Sequence, residues 1–246
     1  MQQRFCAVVP THDHYEVLGA IVDVLLGHRL PVIIVDDGSG EPAREVVARL
    51  HAPESDVEVI RLDRNLGKGA AVAVGLRRAC ERGFTHAVQV DADGQHDMTR
   101  LEDLLAASRA RPEAIISGRA VYDASVPRAR QYGRWVTHVW VWVETLSFRI
   151  ADSMCGFRVY PLAATLAVLD SEPVGKGMDF DTGIMVRLFW RGVPVVQIPV
   201  AVVYPKGNTS NFRLYRDNWL VTRMHARLVT AMLGRLPSIL RNRPPQ

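Results

Sequence analysis

Short apolar runs alternate along this chain with longer stretches whose apolar residues recur at helical spacing. Residues 5–10 (Phe-Cys-Ala-Val-Val-Pro) form an apolar run stopped by proline, the pattern of a first buried strand. In 15–26, Val17, Leu18, Ile21, Val22 and Leu25 fall on one face of a helix. The alternation continues as strand 31–35, helix 41–50, strand 57–62 and helix 67–82, and a fourth apolar run starts near Ala87. It predicts an α/β fold with a parallel sheet and helices on both faces. Such sheets bind ligands beyond the carboxyl ends of their strands.

Acids collect at those ends. The second strand runs into Asp36-Asp37-Gly38-Ser39, the third into Asp63, and the fourth into Asp91-Ala92-Asp93-Gly94-Gln95-His96-Asp97. Any one of them could be a loop acid or a helix cap, but three successive strands ending in acids favour a shared polar site. Asp91 and Asp93 leave a strand end on the same side and can share one hard cation. With Gln95 they suit Mg²⁺ or Mn²⁺, which complete their shells with water and substrate phosphates. A calcium loop is excluded, because His96 stands where that loop needs glycine and a strand precedes it instead of a helix. No strand leads into a complete Gly-x-Gly-x-x-Gly, and Lys68 lacks the flanking residues of a P-loop. Asn65-Leu66-Gly67-Lys68-Gly69 still predicts a tight turn at a helix start, with backbone donors able to face an anion.

The second half changes character. Residues 114–118 form a strand-like run, and 127–152 interleave Trp135, Trp140, Trp142 and Phe148 with Arg128, Arg130, Arg134 and Arg149. Trp135 and Trp142 share a helix face and Trp140 lies elsewhere, so at least one aromatic is expected to face lipid, partner or acceptor. A helix opens near Met178 and runs to about Arg191; Asp179 and Asp181 at its start are either first-turn charges or a catalytic base. A closing strand, 194–203, leads through a loop to helix 212–234, with Phe212, Tyr215, Trp219, Ala226, Val229 and Leu233 on one side. That helix either lies on an anionic bilayer or packs on the domain. The organisation expected is one domain over 1–211 and a basic amphipathic helix and tail over 212–246.

Bulk properties narrow the classes. Of the 246 residues 48% are hydrophobic, enough for one large core. From residue 213 onward stand seven arginines and one carboxylate, Asp217, yet no nucleic-acid motif accompanies them, so nucleic acid is not an expected partner. Three cysteines without metal-ligand spacing, and no signal-peptide pattern, point to a reduced cytoplasmic setting. No run approaches the roughly 18 apolar residues of a membrane span.

Together, Val8-Val9-Pro10-Thr11, Val35-Asp36-Asp37-Gly38-Ser39, Asn65-Leu66-Gly67 leading to Ala73-Val74-Gly75-Leu76, and Asp91-Ala92-Asp93-Gly94-Gln95-His96 resemble the family 2 glycosyltransferases. The last motif, with Asp152 and Gly156-Phe157-Arg158, looks most like the dolichol-phosphate mannose synthase and polyprenyl-phosphate glycosyltransferase branch. The resemblance covers 5 to about 203. It implies the GT-A fold, a Rossmann-like, mixed but mostly parallel sheet. It implies that Pro10, Thr11, Asp36, Asp37 and Asp63 hold base and ribose. Asp91 would place ribose and metal, with Asp93 the principal metal ligand and Gln95 supporting it. Arg119 and Arg158 would face the diphosphate or the acceptor, Lys206 and Ser210 would belong to a loop closing over the diphosphate, and Asp181, then Asp179, would be the base if the acceptor is a hydroxyl. The expected activity is inverting, metal-dependent transfer from a UDP- or GDP-sugar to a lipid-linked acceptor, either a polyprenyl phosphate or a lipid or glycolipid hydroxyl, by an enzyme peripherally bound at the inner membrane face. The family usually follows Pro-Thr with Tyr/Phe-Asn-Glu, and His12-Asp13-His14 here leaves the base open. The alternatives are a sugar-phosphate nucleotidylyltransferase, whose Gly-rich loop after the first strand is missing, and a non-catalytic membrane-surface adaptor with a degenerate site.

Overall fold

The structure is a computed structural model and describes residues 2–51, 54, 56–121, 128–202 and 214–241. Its centre is a seven-stranded sheet of order β3-β2-β1-β4-β6-β5-β7. The first four strands are β1 (Phe5–Thr11), β2 (Val32–Asp36), β3 (Val57–Arg61) and β4 (His86–Gln89). They are followed by β5 (Ile115–Val121), β6 (Arg158–Pro161) and β7 (Val195–Ala201). Every pairing is parallel except those of β6, which runs antiparallel to β4 and β5.

The strands read as unbroken apolar runs because helices cover both faces. Alternate residues of β1 and β2 point to opposite faces: Cys6, Val8, Ile33 and Val35 join one core, Ala7, Val9, Val32 and Ile34 the other. The second core takes Leu18, Ile21, Val22 and Leu25 of α1 (Leu18–Gly27), Val47 of α2 (Ala43–Arg49) and Leu101, Leu104 and Leu105 of α4 (Leu101–Ala110). The first takes α3 (Lys68–Glu81) through Ala71, Val72, Leu76 and Ala79, then α5 (Arg128–Thr145), α6 (Leu162–Ser171), α7 (Phe180–Trp190) and α8 (Leu214–Arg241). Gly75 lets α3 approach: a Cβ there would overlap Val8 and come within 3.2 Å of Val35 Cγ2.

Three elements depart from the pattern-based expectation. The first helix starts at Leu18, not near Tyr15, and Val17 packs instead at the Gly94 turn. Strand β6 and helices α4 and α6 were not foreseen. Helix α8 extends to Arg241 and carries two apolar faces. Met224, Leu228, Met232 and Ile239 are buried against the domain, whereas Tyr215, Trp219 and Leu233, from the stripe anticipated above, are exposed.

Because β6 is reversed, its entry lies at the end of the sheet where the parallel strands exit. The segment 151–157 therefore joins the loops after β1, β2 and β4 at one rim. Asp152 ties it down: Oδ2 accepts from Ala120 N (3.0 Å) and Arg134 Nη2 (2.7 Å), and Oδ1 from Met154 N (2.8 Å).

Candidate active site

A cleft of about 460 Å³ opens at that rim. Its lining includes Pro10, Thr11 and His12 to His14 after β1, Asp37 after β2, Asn65, Gly67 and Lys68 at the start of α3, and Asp91, Asp93 and Gln95 after β4. Met154, Gly177, Met178 and three residues of α8, Arg216, Asp217 and Leu220, complete it.

Each carboxylate has a distinct local job. Asp37 accepts from Leu66 N (2.7 Å) and Gly67 N (2.8 Å), which fixes the turn opening α3. Gly67 adopts φ 102°, and a Cβ there would overlap the carbonyl of Lys176, so glycine is required on two counts. Asp36 is buried behind the rim, accepting from Ser39 N (2.9 Å) and pairing with Arg61. Asp63 is exposed and lies off the cleft. Asp97 starts a helical turn: its Oδ1 accepts from Thr99 N (3.0 Å) and Thr99 Oγ1 (2.6 Å).

Asp91 sits on a buried polar network. Its Oδ2 accepts from Lys68 Nζ at 2.8 Å and lies 3.4 Å from His96 Nε2, while Oδ1 is 3.4 Å from Gln89 Nε2. Burial opposes ionisation, but Lys68 and then His96 hold the carboxyl well below the usual range. The same Lys68 ammonium reaches Asp181 Oδ2 at 2.9 Å. Burial works against its charge, but Asp181 and Asp91 outweigh that and raise its pKa. Asp93 Oδ1 accepts from Gln95 N at 3.1 Å. Gly156 crosses directly over Asp91: a Cβ there would lie 2.8 Å from the carboxyl carbon.

Several expected site residues point away from the cleft. Arg158 is fully buried and donates to the carbonyls of Cys155 (2.7 Å), Asp181 (2.5 Å) and Ser153. It folds the rim segment and does not face a ligand. Asp181 lies behind Lys68, with Oδ1 3.3 Å from Gln89 Nε2. Asp179 at the start of α7 accepts from Gly177 N (3.1 Å) and packs over Gly175. Arg119 is exposed at the end of β5 and does not line the cleft. Lys206 and Ser210 lie outside the described residues. The pattern-based reading missed Gln89, Tyr160, His96 and the α8 contribution. Two signals pointed that way: a glutamine inside an apolar strand, and a lone acid, Asp217, among arginines.

The donor chemistry suits a hard divalent ion. Among the described residues no three His, Cys, Asp or Glu side chains cluster as a metal site. The available set is two carboxylates and the Gln95 amide on one cleft wall, which leaves places for phosphate oxygens.

Comparisons with known proteins identify the family. An undecaprenyl-phosphate mannosyltransferase of Micrococcus luteus is 27% identical over 208 residues, covering 81% of this chain and 84% of that protein. A polyprenol monophosphomannose synthase of Mycolicibacterium smegmatis is 28% identical over 213 residues, covering 80% and 77%. Among solved structures, glucosyl-3-phosphoglycerate synthase from Mycobacterium tuberculosis, in complex with Mn²⁺ and UDP-glucose, aligns with a TM-score of 0.65 at 14% identity. That alignment covers 95% of this chain and 79% of the synthase, a likeness of fold. The model of the family described as Glycosyl transferase family 2 matches residues 6–174, so this chain, with its GT-A sheet, belongs to the family 2 glycosyltransferases.

Proposed function

We propose that the protein transfers a sugar, with inversion, from a nucleoside-diphosphate sugar to a lipid-linked phosphate at a membrane surface. The observation that carries this reading is the shared cleft, where Asp91, Asp93 and Gln95 face the same space as the start of α3 with Lys68. Asp91, Asp93 and Gln95 would hold Mg²⁺ or Mn²⁺, which when bound supplies positive charge for the departing nucleoside diphosphate. The N-terminal end of α3 favours phosphate, and Asp37, which takes the Leu66 and Gly67 amides, keeps the turn before it rigid. Pro10, Thr11 and His12 to His14 border the space for base and ribose.

The surroundings of Asp181 support a phosphate acceptor. A general base needs a lone pair facing the acceptor. Asp181 instead spends its oxygens on Lys68 and Gln89 beneath the cleft floor. A phosphate acceptor needs no base, because its oxygen is already anionic. That oxygen bonds to the anomeric carbon as the bond from this carbon to the donor's β-phosphate oxygen breaks, and the nucleoside diphosphate departs with the electron pair. Two relatives named for polyprenyl-phosphate chemistry support the same acceptor. No helix among the described residues is long and apolar enough to cross a membrane. The surface offers another mode of attachment. Tyr215, Trp219, Leu233 and Leu240 of α8, Trp135, Val136 and Trp140 of α5, and Phe148 just beyond it are all exposed, with Arg216, Arg223 and Arg227 alongside. Aromatic side chains beside arginines suit a headgroup layer, which supports peripheral binding at the inner membrane face.

Thermal shift with UDP and GDP, with and without Mn²⁺, tests the donor site. Nucleotide at about tenfold its Kd stabilises by about 1.4 kcal/mol, a few degrees. The shift is expected to require Mn²⁺ and to vanish in Asp93→Ala; a folded protein that answers to neither nucleotide sinks the proposal.

A further inference from the structure

Lys68 is a built cation. Its side chain is 18% exposed, with Asp91 at 2.8 Å and Asp181 at 2.9 Å. Asp181 is fixed from behind by Gln89, which itself accepts from the Tyr160 hydroxyl at 3.0 Å, and by Arg158, whose Nη1 donates to the Asp181 carbonyl. The backbone carrying Lys68 is equally constrained, through Asp37 on the preceding turn and through Ala70 N, which donates to Lys176 O at 3.1 Å. Lys68 and Arg158 balance Asp91 and Asp181, so this group is neutral with no metal bound.

A divalent ion approaching Asp91 therefore meets a carboxylate that already has its counter-ion. At about 5 Å, even with the dielectric of water, a unit positive charge weakens divalent-ion binding roughly tenfold. A nucleoside diphosphate reverses the sign, because its phosphates attract both the metal and the Lys68 ammonium. We infer that Lys68 makes metal binding conditional on the nucleotide: it keeps the free site weak for divalent ions, and metal and diphosphate enter together. Asp181 is then a positioning residue that acts through Lys68. This inference rests on the metal–diphosphate reading above.

The test is calorimetric titration of Mn²⁺, with electron paramagnetic resonance of free Mn²⁺, on the full chain alone and with UDP or GDP. Wild type is expected to bind Mn²⁺ at least tenfold more weakly alone than with the nucleotide that binds. Lys68→Met should tighten binding of Mn²⁺ alone about tenfold and abolish most of that coupling, whereas Lys68→Arg, which keeps the charge, should retain weak binding. Lys68→Gln keeps a polar, uncharged donor and should follow Lys68→Met, which separates charge from polarity. The inference is overturned if Lys68→Met and Lys68→Gln, folded by circular dichroism, bind Mn²⁺ alone no tighter than wild type. Asp93→Ala distinguishes the two failures: if it binds Mn²⁺ with nucleotide as wild type does, the metal-site reading itself is wrong.

Discussion

Replacing Gly156 by alanine tests whether the placement of Asp91 matters as the geometry implies. The new Cβ would lie 2.8 Å from the Asp91 carboxyl carbon, and ordinary contact begins at 3.4 Å. Asp91 Oδ2 is overlapped more closely still, so one side must retreat by about 1 Å to restore ordinary contact. The backbone around Gly156 is held, because Phe157 O accepts from Gly118 N at 2.8 Å and Cys155 Sγ lies against Gly118. The carboxylate therefore moves, lengthening its 2.8 Å pair with Lys68 and leaving its place beside Asp93. Displacement near 1 Å costs on the order of 100-fold in rate, about 2.7 kcal/mol of transition-state stabilisation. Gly156 has no positive φ, so alanine adds no backbone strain and the melting temperature should fall by only a few degrees. The assay is transfer of labelled sugar to polyprenyl phosphate in detergent, with Mn²⁺-dependent thermal shift alongside. Gly19→Ala on α1, where a Cβ meets nothing within 4 Å, serves as the control and should keep full activity. If Gly156→Ala keeps more than half the activity and an intact metal-dependent shift, the steric argument is wrong.

Two further predictions use surfaces and groups outside the cleft. Tyr215 is 90% and Trp219 65% exposed, so Tyr215→Ser/Trp219→Ser should fold with a melting temperature within about 2 °C of wild type. It should also lose at least about tenfold in binding to anionic vesicles, given roughly 1.5–3 kcal/mol for each large apolar side chain buried; unchanged co-sedimentation would contradict the membrane reading. Glu144 is buried between α5, α7 and α8, with Oε1 2.7 Å from His225 Nδ1. Burial holds its pKa above the usual 4.5, and His225 and Arg187 only partly pull it back. A raised acid binds its proton more tightly when folded, so its contribution is fully present below the unfolded value and is lost as pH rises through the folded one. Glu144→Gln should therefore gain melting temperature relative to wild type as pH rises from about 5 to 8. A difference that stays flat or falls over that range would refute this assignment.

The first half of the fold was legible because parallel strands buried on both faces read as unbroken apolar runs, and the acids ending β2 and β4 marked the rim. Strand β6 was not legible. It is four residues long and begins with Arg158, which sequence pattern assigns to a surface or a ligand, whereas the fold surrounds it with three carbonyls. The same limit hid the network beneath Asp91, since Gln89, Tyr160 and Asp181 are distant in sequence and converge only when β4 pairs with β6 and α7 packs against them. Helix α8 poses a different problem. Its periodicity supports two apolar stripes, and nothing local decides which one meets the core. The deciding facts are tertiary, namely Met224 and Leu228 of α8 packed on the core and His225 paired with Glu144.

Helix α8 also sets a distance. Its first two turns put Arg216, Asp217 and Leu220 on the cleft while Tyr215 and Trp219 look outward, so one helix separates the reaction space from the outer apolar stripe. A helix with its side chains is about 10–12 Å across. Were the stripe to rest among lipid headgroups, as proposed, the cleft would stand no farther than that from the bilayer surface. A long-chain acceptor can then present its head to the cleft while most of its tail stays in the bilayer. The free energy of extracting the tail, about 0.8 kcal/mol per methylene group, is never incurred for more than the first few carbons.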